Sequence, residues 1–152
     1  MAEYEYVVDL LSPTKTAGGV EEKTIQEAER KLGVQFPRSF RLFLAKYGAI
    51  AETPYEMTGL SNEEIRDDQT PTWWDVVSST LRMQRASRGL IPKEYVLIAS
   101  DGGDFKFYLD TSRSNNQGEC PVVVLGPGAD DVVVAEDFFD FLIRSFEGRV
   151  SF

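Results

Sequence analysis

The chain has 152 residues, 42% apolar and 27% charged, with a formal net charge of −9 and no histidine. That length suits one domain, residues 1–152, with a sizeable core. The charge argues against nucleic-acid and anionic-membrane binding, which call for basic patches. The missing histidine excludes Ser-His-Asp and Cys-His nucleophilic sites, histidine metal ligation and histidine acid–base work.

In chain order, Tyr4, Val7, Val8 and Leu11 recur at helical spacing and predict a short amphipathic helix over about residues 4–11, an extension that Ser12-Pro13 stops. Its acidic lead, MAEYEYVVDLL, has no basic n-region and does not read as a secretory signal. The stretch from Thr24 to Gly48 predicts two helices folded back on each other. Ile25, Ala28 and Leu32 share one face, and Gly33 stands where a left-handed cap is wanted. Pro37 suits the first position of the second helix. Phe40, Phe43, Leu44 and Tyr47 form that helix's aromatic stripe, and Gly48 ends it.

A short strand is expected near Tyr55 to Thr58. Ser61-Asn62-Glu63-Glu64 has capping-box spacing, and the acidic stretch to Gln69 reads as an exposed loop. Thr70-Pro71 predicts a helix start, with the helix over about 72–86 burying Trp73, Val76, Val77, Thr80 and Leu81. Arg82, Arg85 and Arg88 form its basic end, read as solvated. Strands are predicted at Tyr95 to Ser100 and Phe105 to Asp110, joined by the tight turn Asp101-Gly102-Gly103-Asp104. Thr111 to Glu119 reads as a mobile polar loop. Pro121 to Leu125 is a buried-type strand, Gly126 to Asp131 a turn, and Val132 to Ala135 the return strand. Asp137 caps a last helix carrying Phe138, Phe141, Leu142 and Phe146. Helices, then an antiparallel meander, then a closing helix define an α+β fold: an antiparallel sheet packed against an αα-hairpin and further helices.

Charge is uneven. Residues 100–152 carry 10 acids against 4 bases, whereas residues 71–99 carry 2 against 4. The C-terminal third is the expected acidic surface, and its natural partner is basic. Cys120 alone cannot build a disulfide framework, which fits a reducing cytosol; ahead of a proline and a valine run, it reads as a buried, inert thiol. Asp101, Asp104 and Asp110 raise the question of a metal or acid–base site, but aspartate beside Gly-Gly is ordinary turn chemistry and the calcium-loop pattern is absent. Asp130 and Asp131 after Gly128 are the same case. Gly126-Pro127-Gly128 lacks phosphate-loop spacing. Adjacent helical residues lie about 100° apart, so Trp73 and Trp74 cannot share one core. Trp74 then either packs under a loop or meets a partner.

The run LGVQFPRSFRLFLAKYG, with IPKEYVLIASDGGDFKFYLDT, CPVVVL and VVVAEDFFDFL after it, resembles the SUKH superfamily, the fold of the yeast cell-wall regulator of Smi/Knr type. The resemblance covers nearly the whole chain from about residue 20. In bacteria such proteins are chiefly immunity proteins against polymorphic toxins, often nucleases. The resemblance therefore implies a cytoplasmic, non-enzymatic inhibitor needing no metal or cofactor. Its partner would be a basic toxin domain, with self-association left open. The expected contacts are Trp73, Trp74, Asp101, Asp104, Asp110, Asp130 and Asp131. A regulatory scaffold module, as in eukaryotic relatives, is the alternative. An enzyme working through the aspartates is the least supported reading.

Overall fold

A computed structural model describes residues 2–51, 53–62 and 74–152. Among these the order is α1 (Ala2–Leu11), α2 (Glu22–Leu32), α3 (Arg38–Tyr47), β1 (Glu56–Gly59), β2 (Trp74–Asp75), α4 (Val76–Ala86), β3 (Tyr95–Ser100), β4 (Lys106–Asp110), a 3-10 turn (Thr111–Arg113), β5 (Val122–Gly126), β6 (Ala129–Ala135) and α5 (Phe138–Phe146). The α+β expectation holds. The sheet runs β2-β1-β3-β4-β5-β6. It is not wholly antiparallel, because β2 lies parallel to β1, with Thr58 opposite Trp74.

The helix pair forms as its periodicity dictates: Ile25, Ala28 and Leu32 of α2 and Phe40, Phe43, Leu44 and Tyr47 of α3 are buried. Gly33 takes φ 68°, ψ 29°, and its N–H reaches Arg30 O. Pro37, however, is the residue before the helix, extended at φ −66°, ψ 159°; its carbonyl accepts from Arg41 N–H, and the helix begins at Arg38. Neither helix carries its own side-chain cap. Distant segments supply both. Asn62 Oδ1 accepts from Glu21 N–H at 3.2 Å and Thr24 Oγ1 at 3.3 Å. Gly118 O accepts from Arg38 N–H at 2.9 Å, and the Glu119 carboxylate accepts from Ser39 N–H and, at 2.7 Å, from its hydroxyl. Orphan helix N–H groups demand such partners wherever the chain can bring them. The polar segment 111–119, expected to be mobile, is thereby pinned: Asn115 Oδ1 also accepts from Gln117 and Glu119 N–H. Gly48 does not repeat the Gly33 geometry. At φ 68°, ψ −62°, it sits where a Cβ would lie 2.2 Å from Gly18 O and 2.8 Å from Leu60 O.

One face of the sheet meets α1, α2, α3 and α5 in a core holding Val7, Ile25, Phe40, Phe43, Val96, Phe107, Val124 and Phe141. Phe138 lies at its centre, 4.9 Å from the Phe40 ring and 5.1 Å from Phe43. Removing such a ring costs about 3–5 kcal/mol. Cys120 is buried here, and burial pushes its thiol up to about 12. The other face carries Tyr95, Leu97, Tyr108 and Val123, covered in part by Met83 and Ile91.

The helix expected over 72–86 is shorter at its start. Thr70-Pro71 and Trp73 lie outside the described residues, as do Glu63-Glu64 and the acidic stretch after them. Trp74 belongs to β2, and Asp75 is the cap, accepting from Ser78 N–H at 2.7 Å. Val76 and Thr80 of the expected stripe are buried. Beyond the end of β1, α4 completes β3's hydrogen bonding. Thr80 Oγ1 accepts from Leu97 N–H at 3.0 Å, and Gln84 Nε2 donates to Tyr95 O at 3.3 Å. Residues i and i+4 of one helix thus serve the strand edge that β1 leaves. The last hairpin is tighter than expected, with Pro127-Gly128 between β5 and β6, so Asp130 and Asp131 stand in strand β6 and not in a turn.

Candidate partner-binding surface

The structure separates the residues that the sequence grouped. Trp74 is 37% exposed on β2, and the Arg82 guanidinium carbon lies 5.3 Å from its ring centroid. This cation–π contact gives Arg82 a surface partner and keeps the indole at the sheet's edge. Asp110 is not a surface contact. It is buried and accepts from Ser112 N–H, Ser112 Oγ and, at 2.7 Å, Arg113 Nε. Although burial opposes ionisation, these donors hold its carboxyl below the usual range. Asp131 is exposed but engaged, taking a 2.6 Å hydrogen bond from the Tyr95 hydroxyl. Asp101 shapes its turn, accepting from Gly103 N–H at 2.7 Å and Phe105 N–H at 3.3 Å. Asp104 is exposed and, among the described residues, has no side-chain partner.

Three of these acids do converge. Register places Glu56, Ser100, Lys106, Leu125 and Asp130 in one row across five strands. The turn carrying Asp101 and Asp104 rises from that row. Glu56 Oε1 lies 3.8 Å from where a Cβ on Gly102 would be. Among the described residues, four carboxylates thus share one end of the sheet with one ammonium, Lys106, which donates to Gly103 O at 2.5 Å. Phe105 locks the two hairpin turns together. Its ring lies over Gly126, where a Cβ would meet it at 2.3 Å, and Phe152 packs on it at 4.8 Å. Sequence reasoning missed Glu56, because register across β1 and β3 brings it there and no local pattern marks it. Trp74 is on the opposite edge strand from Asp130, about 24 Å away at 4.8 Å per strand. Glu56, on the strand beside β2, lies between the two, so the acidic row reaches toward Trp74.

Two hollows flank the N-terminus of α3. A cleft of 540 Å³ lies between Arg38, Arg41, Leu42 and Ala45 on one wall and Ser114, Gln117 and Gly118 on the other. Arg41 is already paired, with Glu22 and with Glu29 at 3.1 Å. A smaller hollow of 230 Å³ is lined by Glu3, Arg38, Glu119, Asp137 and Phe139. Here partial burial, then the Asp137 carboxylate, raises Glu3 to about 7, and burial raises Glu119 as well. Among the described residues no three His, Cys, Asp or Glu side chains form a group that could hold a metal ion. No described helix is long and apolar enough to cross a membrane.

A mixed sheet packed on an αα-hairpin, with further helices on the same face, is an architecture of the α+β class. Residues 22–142 match the SMI1-KNR4 cell-wall family (SUKH_6), and the chain belongs to it. No curated protein matches the chain, so the assignment stands at the level of the family.

Proposed function

We propose that the protein is a cytoplasmic, non-catalytic immunity protein that binds a cognate toxin, a basic nuclease domain, and blocks it sterically and electrostatically. The reading rests on membership of the SUKH group together with one observation: Glu56, Asp101, Asp104 and Asp130 line one end of the sheet, with Lys106 in the same row among the described residues. A nuclease cleft must be positive to hold a phosphate backbone, and a negative rim of this kind steers toward it. Steering of that sort acts mainly on the association rate.

The test is co-expression with the toxin encoded beside this gene, followed by binding kinetics. Protection of the host and a complex are expected. Replacing Glu56→Gln, Asp104→Asn and Asp130→Asn together should slow association by roughly tenfold at low salt, with little change near 0.5 M salt. Asp101 is left in place because it holds the turn. No complex, or a complex whose formation ignores salt, would overturn the reading. The cleft of 540 Å³ beside α3 favours a second reading, a regulatory module that takes up a peptide segment, and a partner seated only there would support it.

A further inference from the structure

Among the described residues, strand β6 is the last in the sheet and pairs only with β5. Alternate residues of such a strand aim N–H and C=O out of the sheet. Val132 and Val133 are 39% and 48% exposed, whereas Val134 and Ala135 are 6% and 3% exposed. Val132 stands opposite Val124, whose side chain is in the helix-side core. Val133 stands opposite Val123, which belongs to the other face. Both of these partners are fully buried. The lip therefore carries one valine above the sheet and one below, and a neighbouring strand is what would cover both.

The ends of the segment specify that neighbour. From Ala129 to Ile143 there is no lysine or arginine, while Asp130, Asp131, Glu136, Asp137 and Asp140 are all acidic. Edge strands are commonly blunted by lysine or proline, and this one has neither. It has two bulges where the register shifts, one at Asp131, which takes φ +57°, and one at Val134. That leaves Val132 and Val133 as the open window. A second copy is a poor occupant: antiparallel pairing would set Asp130 against Ala135 and next to Glu136 of another chain of net charge −9.

We propose that β6 receives an extended segment of the partner protein as a seventh strand, with β-branched apolar residues at its centre and lysine or arginine at its flanks. This rests on the reading of the chain as a protein-binding inhibitor and names the mode of contact. Main-chain bonds would supply affinity, and the two valines with the flanking acids would supply selectivity.

The probe is a synthetic peptide, acetyl-Lys-Thr-Val-Val-Thr-Lys-amide, added at millimolar concentration to the full isotope-labelled chain. Amide shifts confined to β5 and β6, and at least tenfold slower exchange at Val132 or Val133, are expected. Val133→Asp should weaken binding at least tenfold with an unchanged melting temperature. The double variant Asp130→Lys, Glu136→Lys should instead prefer a glutamate-flanked peptide, which keeps the test decisive if Val133→Asp unfolds. Equal binding of both peptides by the unaltered chain, shifts elsewhere, or a dimer in sedimentation whose β6 amides are protected in hydrogen exchange would each overturn the proposal. A toxin neutralised without β6 protection would overturn it and leave the immunity reading standing. Peptide binding at β6 with no toxin bound would do the reverse.

Discussion

The Tyr95 hydroxyl of β3 donates a 2.6 Å hydrogen bond to Asp131 Oδ1 of β6, reaching over the two strands between them. The ring crosses Tyr108, 5.8 Å away, on the face opposite the main core. The contact ties a central strand to the edge and holds the bulge residue in its left-handed conformation. Tyr95→Phe should cost about 1.5–3 kcal/mol, the range for a hydrogen bond to a charged acceptor. Asp131→Ala should cost more than Asp131→Gly, because glycine accepts φ +57° without strain. Urea denaturation of the three variants checks the order.

Glu119 caps α3 through Ser39, 80 positions earlier in the chain. Glu119→Ala removes acceptors for Ser39 N–H and its hydroxyl, and should cost about 1–2 kcal/mol. Glu119→Gln keeps one carbonyl oxygen and should cost less. The same substitutions should speed amide exchange at Arg38 and Ser39 before they affect α5. Equal exchange across both helices would show that the contact is not local to α3.

The hollow at Glu3 makes stability depend on pH in an unusual direction for a carboxylate. Its folded value is raised from 4.5 to about 7, by partial burial and then by Asp137, with smaller contributions from Asp140 and Glu119. Between those values the folded chain keeps a proton that the unfolded chain has released. Stability from this group is therefore present below about pH 4.5 and lost as pH rises to about 7. Glu3→Gln should flatten that part of the profile and melt higher than the unaltered chain at pH 8. A profile unchanged by the substitution would refute the assignment.

The Tyr47 hydroxyl is buried, and among the described residues it has no hydrogen-bond partner. Burial raises it above its ordinary value. An unpaired buried hydroxyl costs about 1–3 kcal/mol, so Tyr47→Phe should be neutral or stabilising by about 1 kcal/mol. Tyr47→Ala should be strongly destabilising, since its ring packs 5.8 Å from Phe43. Thermal melting of the pair separates the hydroxyl from the ring.

Local pattern by itself determined the helix pair, the strand Tyr95–Ser100, the Asp137 cap and the burial of Cys120, because each follows from periodicity, a turn residue or a neighbouring apolar run. Composition alone marked the C-terminal third as acidic. Only the tertiary structure decided which acids are free. Asp110 and Asp131 look no different from Asp104 and Asp130 in the chain, yet Arg113 and Tyr95 reach the first two and nothing described reaches the others. Glu56 joins the acidic end, Glu119 caps α3 and the open lip of β6 exists because of register and strand order. These pairings join residues tens of positions apart, and their free energy depends on what lies opposite, which no window of sequence contains.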